Sequence, residues 1–422
     1  MKSGIIKKTT SYIMGIPMND LDIDKPQMIY DRISASEEFE LKKVSFDDKN
    51  ICPMVIVGYR DMEFTVDLKI EPISAISSDF IFCQKIPDEC LKKVKQAQIG
   101  LTTAITFSDD NLNSHHFQLK FLNCIIPDMA AVVDFNVRRI FSPVWLKQIA
   151  ASTVAPGPAY IYSINVTHDS ESSADGADRA WIYTQGLNRC GFMELEVINA
   201  EENNVDFYAT VINIASNKAI TERIFPAEME PFDIATLEDD KKLTVAWRFW
   251  KGEMSVFPNG VLGTGKRRPD SQSMYNGILF INPNDGKTKK PVRANEMKPF
   301  SLNKAVIEYS PEESARMSVL AAETLPHFIK GFTIPGAKAL VKISVNAGAA
   351  ADGNNNYEYV WAEVDNIDSK NVYCTAVHST LFSEEISASE KFSTDINNIS
   401  DWLLNIKGIR VAPDCAYQIP LS

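Results

Sequence analysis

Residues 260–266 read GVLGTGK: a glycine, four residues, a second glycine and a lysine. This is the skeleton of a phosphate-binding loop. Accepting it would commit the chain to a strand–loop–helix unit around a bound nucleotide, because such a loop needs an apolar strand before it and a helix after it. The helix N-terminus supplies backbone donors for the phosphates. Neither flank fits. Pro258 and Asn259 precede the motif and read as a turn. Arg267 stands where a hydroxyl residue would hold magnesium, and Pro269 interrupts a helix in its first turn. The stretch therefore reads as a surface loop between two strands, and no cofactor is expected.

The surroundings of that loop are basic. Lys266, Arg267, Arg268, Lys287, Lys289, Lys290 and Arg293 face only Asp270 and Asp285 over residues 266–293. They form a candidate docking patch for an acidic protein partner; the plainer reading is a pair of solvated loops. The whole chain is the reverse. Its 422 residues carry 43 Lys and Arg against 55 Asp and Glu, a formal charge of −12. An acidic surface repels phosphate backbones, so nucleic acid is not expected as a general partner. No run of 18 apolar residues predicts a membrane span, and MKSGIIKKTTSYIMGIP does not read as a secretory signal. The seven scattered cysteines form no CxxC pair and read as reduced thiols of a cytoplasmic protein.

Without the nucleotide loop the chain reads as α+β. In the first third, strands are expected at SYIMGI (11–16), at 54–70 with a turn near Arg60–Asp61, and at 101–108. Helices are expected at 26–33 and 87–99. That order suggests a small ferredoxin-like sheet with helices on one face. The middle third has a helix capped by Asp109 or Asp110 and running to Ile126. Further on come a strand at 130–135, a helix from Ser142 to Ser152, strands at 159–166 and 179–184, a helix at 205–216 and a strand at 242–250. In the last third, Ser310, Pro311, Glu312 and Glu313 announce a helix that Pro326 stops, and three strands follow. The expected domains are 1–108 and 109–300, both α+β, and 301–422, a helix followed by a small, mostly antiparallel β-sheet or barrel.

Three groups of residues are weighed for function. GLNRCGFMELE (186–196) joins a tight turn to Arg189, Cys190, Glu194 and Glu196. A catalytic reading makes Cys190 a nucleophile activated by Arg189, with the glutamates as acid and base. The plainer reading is a stiff turn in which Arg189 pairs with a glutamate. The histidines His115, His116, His168, His327 and His378 show no metal-ligand spacing. ISDWLLNI (399–406) offers Trp402, Leu403 and Ile406 as core, with Asp401 capping a short turn or meeting a ligand.

The last stretch resembles a known family. LAAETLPHFIKGF, ALVKISV, YEYVWAEV and NNISDWLLNIKGIRVAPDCAYQI follow the motif order of the YegJ-type bacterial domain of unknown function (the 2314 type). Leu325, Pro326, Phe328, Glu358, Trp361, Glu363, Val364, Ile399, Ser400, Asp401 and Trp402 match its pattern, and the resemblance covers residues 305–422. VHSTLFSEEISASEKFS departs from it, where the family shows a more polar, Gly-containing turn. Trp361, Glu363, Asp401 and Trp402 become a candidate ligand or structural motif. SYIMGIP, PDMAAVVDF, FSPVWLKQIAAS, APGPAYIYSINV and WIYTQGLNRCGFMELE resemble an uncharacterised bacterial family of the 4026 type. That family carries the first module at its C-terminus and has no assigned catalytic residues. The association of related modules with toxin-immunity systems implies stoichiometric binding to a partner. The expectation is a non-catalytic protein-interaction module, immunity-like or regulatory, with aromatic anchors such as Trp250 or Trp361. The alternative is a small-molecule enzyme or ligand sensor centred on residues 186–196.

Overall fold

The structure is a computed structural model and describes residues 4–20, 23, 26–45, 54–169, 178–237, 241–258, 260–269, 275–282, 290–302, 305–307, 309–349, 355–379 and 386–421. The chain divides into two compact units, residues 1–146 with 157–310, and residues 147–156 with 311–422. Both are mixed α and β.

The first unit opens with β1 (Ser11–Pro17), α1 (Pro26–Ser34), β2 (Glu40–Ser45), β3 (Met54–Tyr59), β4 (Met62–Pro72), β5 (Ile81–Phe82), α2 (Asp88–Gln96) and β6 (Ile99–Ile105). It continues with α3 (Asn111–Ile125), β7 (Met129–Asp134) and β8 (Arg139–Phe141); α4 (Pro143–Ala151) begins in this unit and ends in the second. The strands form one sheet in the order β2-β3-β4-β6-β1-β7-β8-β5. It is larger than the small ferredoxin-like sheet expected. The expected boundary at residue 108 falls inside it, because β7 and β8 extend the same sheet.

The alternation of β1 decides what lies on each face. Met14 and Ile16 pack with Ile86 and Cys90 beside α2. Ser11 and Gly15 turn to α3: Ser11 Oγ donates to Gln118 Oε1 at 2.7 Å, and a Cβ on Gly15 would meet Leu122 and Ile126. Helices thus cover both faces, not one. Asp110 caps α3, accepting from the amide of Asn113 at 3.1 Å. Phe64 stacks on Phe117 of α3 with ring centroids 4.1 Å apart.

The second sheet of this unit is built from β9 (Ser163–Asp169), β10 (Arg179–Gln185), β11 (Glu194–Glu201), β12 (Phe232–Thr236), β13 (Lys242–Phe249), β14 (Asn276–Ile281) and β15 (Val292–Arg293). The order is β12-β13-β14-β11-β10-β9, with β15 on β14. α5 (Val205–Glu222) covers one face and runs six residues beyond its expected end at 216. The other face carries Trp181, Ile198, Ala246 and Phe280, and it is closed by α6 (Trp250–Glu253) and by Phe257 and Val261.

In the second unit, α7 (Pro311–Glu323) is followed at once by α8 (Leu325–Phe332). As expected, the first helix ends just before Pro326, at Glu323. Pro326 itself sits in the first turn of α8, where a missing amide costs nothing. The strands are β16 (Lys338–Ala349), β17 (Asn355–Ile367), β18 (Asn371–Ala376), β19 (Lys391–Asp395), β20 (Ile399–Ile406) and β21 (Ile409–Val411). They form an antiparallel sheet in the order β19-β18-β17-β16-β20-β21. Val341, Val360, Trp402 and Leu404 point into its core with Phe328.

Candidate functional site

The GVLGTGK loop binds its own chain. Only a 3-10 turn, Gly265–Arg267, follows the second glycine, and Arg268 is already extended. Gly263 lies at φ +85° against Trp181, so a Cβ there would stand 3.0 Å from the indole. Arg268 Nη1 donates to the carbonyl of Gly263, and Arg267 Nη1 to that of Gly260, both at 2.8 Å. The loop is a lid on the second sheet, more buried than the surface loop expected.

The same contacts dissolve much of the basic patch. Arg267 pairs with Asp169, and Arg268 with Glu196. Arg293 pairs with Glu253 and Glu296. Lys266 and Lys290 stay exposed. Lys287 and Lys289 lie outside the described residues.

The 186–196 segment is a turn between two neighbouring antiparallel strands. Gly186 (φ +116°) and Gly191 (φ +83°) bracket a 3-10 turn, Leu187–Cys190. A side chain at Gly186 is excluded twice, by its φ and by the carbonyl of Ile161, 2.6 Å from a Cβ placed there. A left-handed residue followed by right-handed ones turns successive amides inward and makes an anion nest. Glu194 fills it: Oε1 accepts from the amides of Gly186 at 2.8 Å and Asn188 at 3.2 Å. Its Oε2 accepts from Thr184 Oγ1 at 2.7 Å. Burial still pushes the carboxyl above the usual range.

Arg189 turns away from both glutamates. Its side chain is wholly buried, and Nη1 reaches Asp134 Oδ2 at 2.8 Å and Ser11 Oγ at 3.1 Å. Nε and Nη2 both donate to the carbonyl of Ile161. The expected Arg189–glutamate pair is replaced by an ion pair to the end of β7. Glu196 is clamped instead by Arg268 Nη2, 3.1 Å from each oxygen, and by Trp181 Nε1 at 3.0 Å. The Arg268 guanidinium lies 4.1 Å from the ring centre of Trp250. Cys190 is 2% exposed, and burial pushes its thiol up to about 12 against the pull of Arg189. That is opposite to what a nucleophile needs.

A solvent-open recess of about 570 Å³ lies beside this turn. The chain before β1 forms one wall, held to the turn by hydrogen bonds from the amide of Ile6 to the Gly191 carbonyl and from Thr9 to the Asn188 carbonyl. Lys7, Lys8, Tyr12, Arg138, Gln185 and Tyr275 are among the lining residues. Sequence reasoning missed them, apart from the turn itself, since they carry no motif. The bracketing glycines were the one signal pointing here.

In the second unit the four motif residues part company. Trp402 is core: it packs on Phe328 and donates through Nε1 to Thr324 Oγ1 at 3.2 Å. Strand alternation puts Trp361 and Glu363 on the face opposite Val360 and Ala362. Asp401 stands opposite Lys342 in the sheet, and burial raises its carboxyl to about 6. ISDWLLNI is the strand β20, not a capped turn, although Asp401 Oδ1 does accept from the next amide at 2.8 Å. A smaller recess of about 410 Å³ lies at Leu340, Glu363, Leu403 and Arg410.

Among the described residues no group of three His, Cys, Asp or Glu side chains is placed to hold a metal ion, and no helix is long and apolar enough to cross a membrane. His115 and His116 are both buried in α3.

The fold and the turn define a multi-sheet α+β protein in whose first unit a buried ion pair links two sheets. Residues 11–156 match the model of the N-terminal domain of a protein of unknown function, DUF4026, and residues 166–280 match its C-terminal domain. Over these residues the chain belongs to the DUF4026 family, which is uncharacterised. No curated protein matches it. No solved structure matches it.

Proposed function

We propose that this is a non-catalytic binding protein of the bacterial cytoplasm, and that its ligand enters the recess beside the 186–196 turn. The supporting observation is a division among polar groups. Arg189, Glu194 and Glu196, the residues a catalytic reading would use, are each held by several internal hydrogen bonds. Lys7, Thr10, Gln185 and Tyr275 line the recess, and their side chains have no partner among the described residues. A concave site with convergent polar groups is the usual form of a small-molecule pocket. This is the ligand-sensor reading of the turn rather than the enzyme reading.

A second reading keeps a protein-interaction role, immunity-like or regulatory, with a YegJ-like module over residues 305–422. Exposed Lys266 and Lys290 favour it as steering charges. Native mass spectrometry of the full chain purified from its source at moderate salt separates the two. A retained small molecule, with hydrogen-exchange protection at residues 7–12 and 186–191, supports the recess. A stoichiometric protein whose binding falls on Lys266→Glu/Lys290→Glu supports the second reading. Retention of neither a small molecule nor a protein would overturn both.

A further inference from the structure

Three cations, Lys7, Lys8 and Arg138, line the recess beside the turn, and Glu194 is the one carboxylate among the described lining residues. That carboxylate is aimed into the nest of amides and is already answered there. Lys8 Nζ holds the carbonyl of Ser108 and lies 3.5 Å from Asp109. Arg138 gives Nη1 to Asp79, and the rest of its fork has no partner among the described residues. Lys7 is exposed and has none.

Arg138 also occupies the left-handed region, at φ +53°. An arginine is less favoured there than glycine or asparagine. The chain's overall charge of −12 does not forbid an anion. Exposed charges are screened over about 8 Å at physiological salt, so the nearest cations decide. The other lining groups are hydroxyls and amides of Thr9, Thr10, Tyr12, Gln185 and Tyr275, with little apolar wall for a hydrophobic ligand. A volume of about 570 Å³ suits a metabolite better than a lone ion.

Resting on the recess reading above, we propose that the ligand is a small, multiply charged organic anion. Lys7, Lys8 and Arg138 hold its charged groups, and the threonine and tyrosine hydroxyls hold its polar body. The test is amide NMR of the isotope-labelled full chain, titrated at constant ionic strength with citrate, inorganic phosphate, glucose and putrescine. Citrate or phosphate should shift the amides of residues 7–12, Gly186 and Asn188 in a saturable way. The tighter of the two distinguishes a carboxylate from a phosphate ligand. Lys7→Gln should weaken that binding about threefold and Lys7→Glu more. Both variants should fold, because Lys7 makes no hydrogen bond within the described fold. Saturable shifts with glucose or putrescine but not with the anions would overturn the charge assignment and leave the recess reading standing. No shift at these amides with any probe would overturn both. Anion binding that Lys7→Glu leaves unchanged would also overturn the assignment.

Discussion

Arg189 and Asp134 meet at 2.8 Å with neither side chain exposed to solvent. The pair joins the turn after β10 to the end of β7, so one ion pair fastens the second sheet of the first unit to its first. Both charges also hold other partners: Ser11 Oγ and the Ile161 carbonyl for Arg189, and the Asn136 amide for Asp134. Burial nevertheless pushes the Asp134 carboxyl above its usual range.

Removing one partner of such a pair leaves a buried charge unanswered. Arg189→Met should cost about 3–5 kcal/mol, read as a drop in the denaturation midpoint of the full chain. The double variant Arg189→Met/Asp134→Leu should recover much of that loss. A single variant as stable as the parent would show that the pair is not formed.

Glu194→Ala empties the nest and strands the amides of Gly186 and Asn188 in a buried site. A loss of about 2 kcal/mol or more is expected, from unsatisfied donors rather than lost charge. Glu194→Gln keeps an acceptor and should lose less. Equal losses for the two variants would refute the nest.

Cys190 should be inert. Its thiol lies near 12 and is buried, whereas Cys83 is exposed. Alkylation at pH 8 followed by peptide mass spectrometry should find Cys83 modified well before Cys190, which stays protected until the chain unfolds. Rapid labelling of native Cys190 would restore the nucleophile reading.

How much of this could be read from the sequence depended on distance along the chain. Local signals held: Pro311 and the following glutamates begin α7, Asp110 caps α3, and the turn at Arg60 separates β3 from β4. Pro326 marked the end of α7 but hid the start of α8, because proline suits the first turn of a new helix. The importance of residues 186–196 was legible from Gly186 and Gly191, but their chemistry was not. The partner of Arg189 lies 55 residues away, and that of Glu196 lies 72 away. No spacing rule links residues so far apart, and Lys7, Arg138 and Tyr275 converge only in three dimensions.

His115 is 1% exposed, and neither ring nitrogen has a partner among the described residues. Burial, with Arg189 and His116 nearby, holds its pKa well below the ordinary 6.5. The unfolded chain therefore binds a proton first as pH falls. Stability from the neutral ring is complete above about pH 6.5 and is lost progressively below it. Melting curves of the full chain between pH 5 and 8 should show this slope, and His115→Phe should flatten it. An unchanged slope would assign the acid sensitivity elsewhere.

Asp401 has the opposite sign. Its folded carboxyl, near 6, lies above the unfolded value of 3.8, so ionising it costs stability as pH rises from about 4 through 6. Asp401→Asn should stabilise the second unit at pH 7 by on the order of 1–3 kcal/mol and change little at pH 4. A destabilised variant at pH 7 would mean that Lys342 needs the charge.

The strand β1 lies between β6 and β7, paired with residues 101–105 on one side and 129–134 on the other. Its neighbours on both sides are thus made long after it. At the usual pace of about 5–20 residues per second, a ribosome needs several seconds or more between releasing β1 and releasing β7. Through that interval the middle of the sheet is an apolar ribbon, Ile13, Met14 and Ile16, that lacks at least one of its native flanks. Chaperone capture or aggregation during synthesis would begin there, long before the recess could take form.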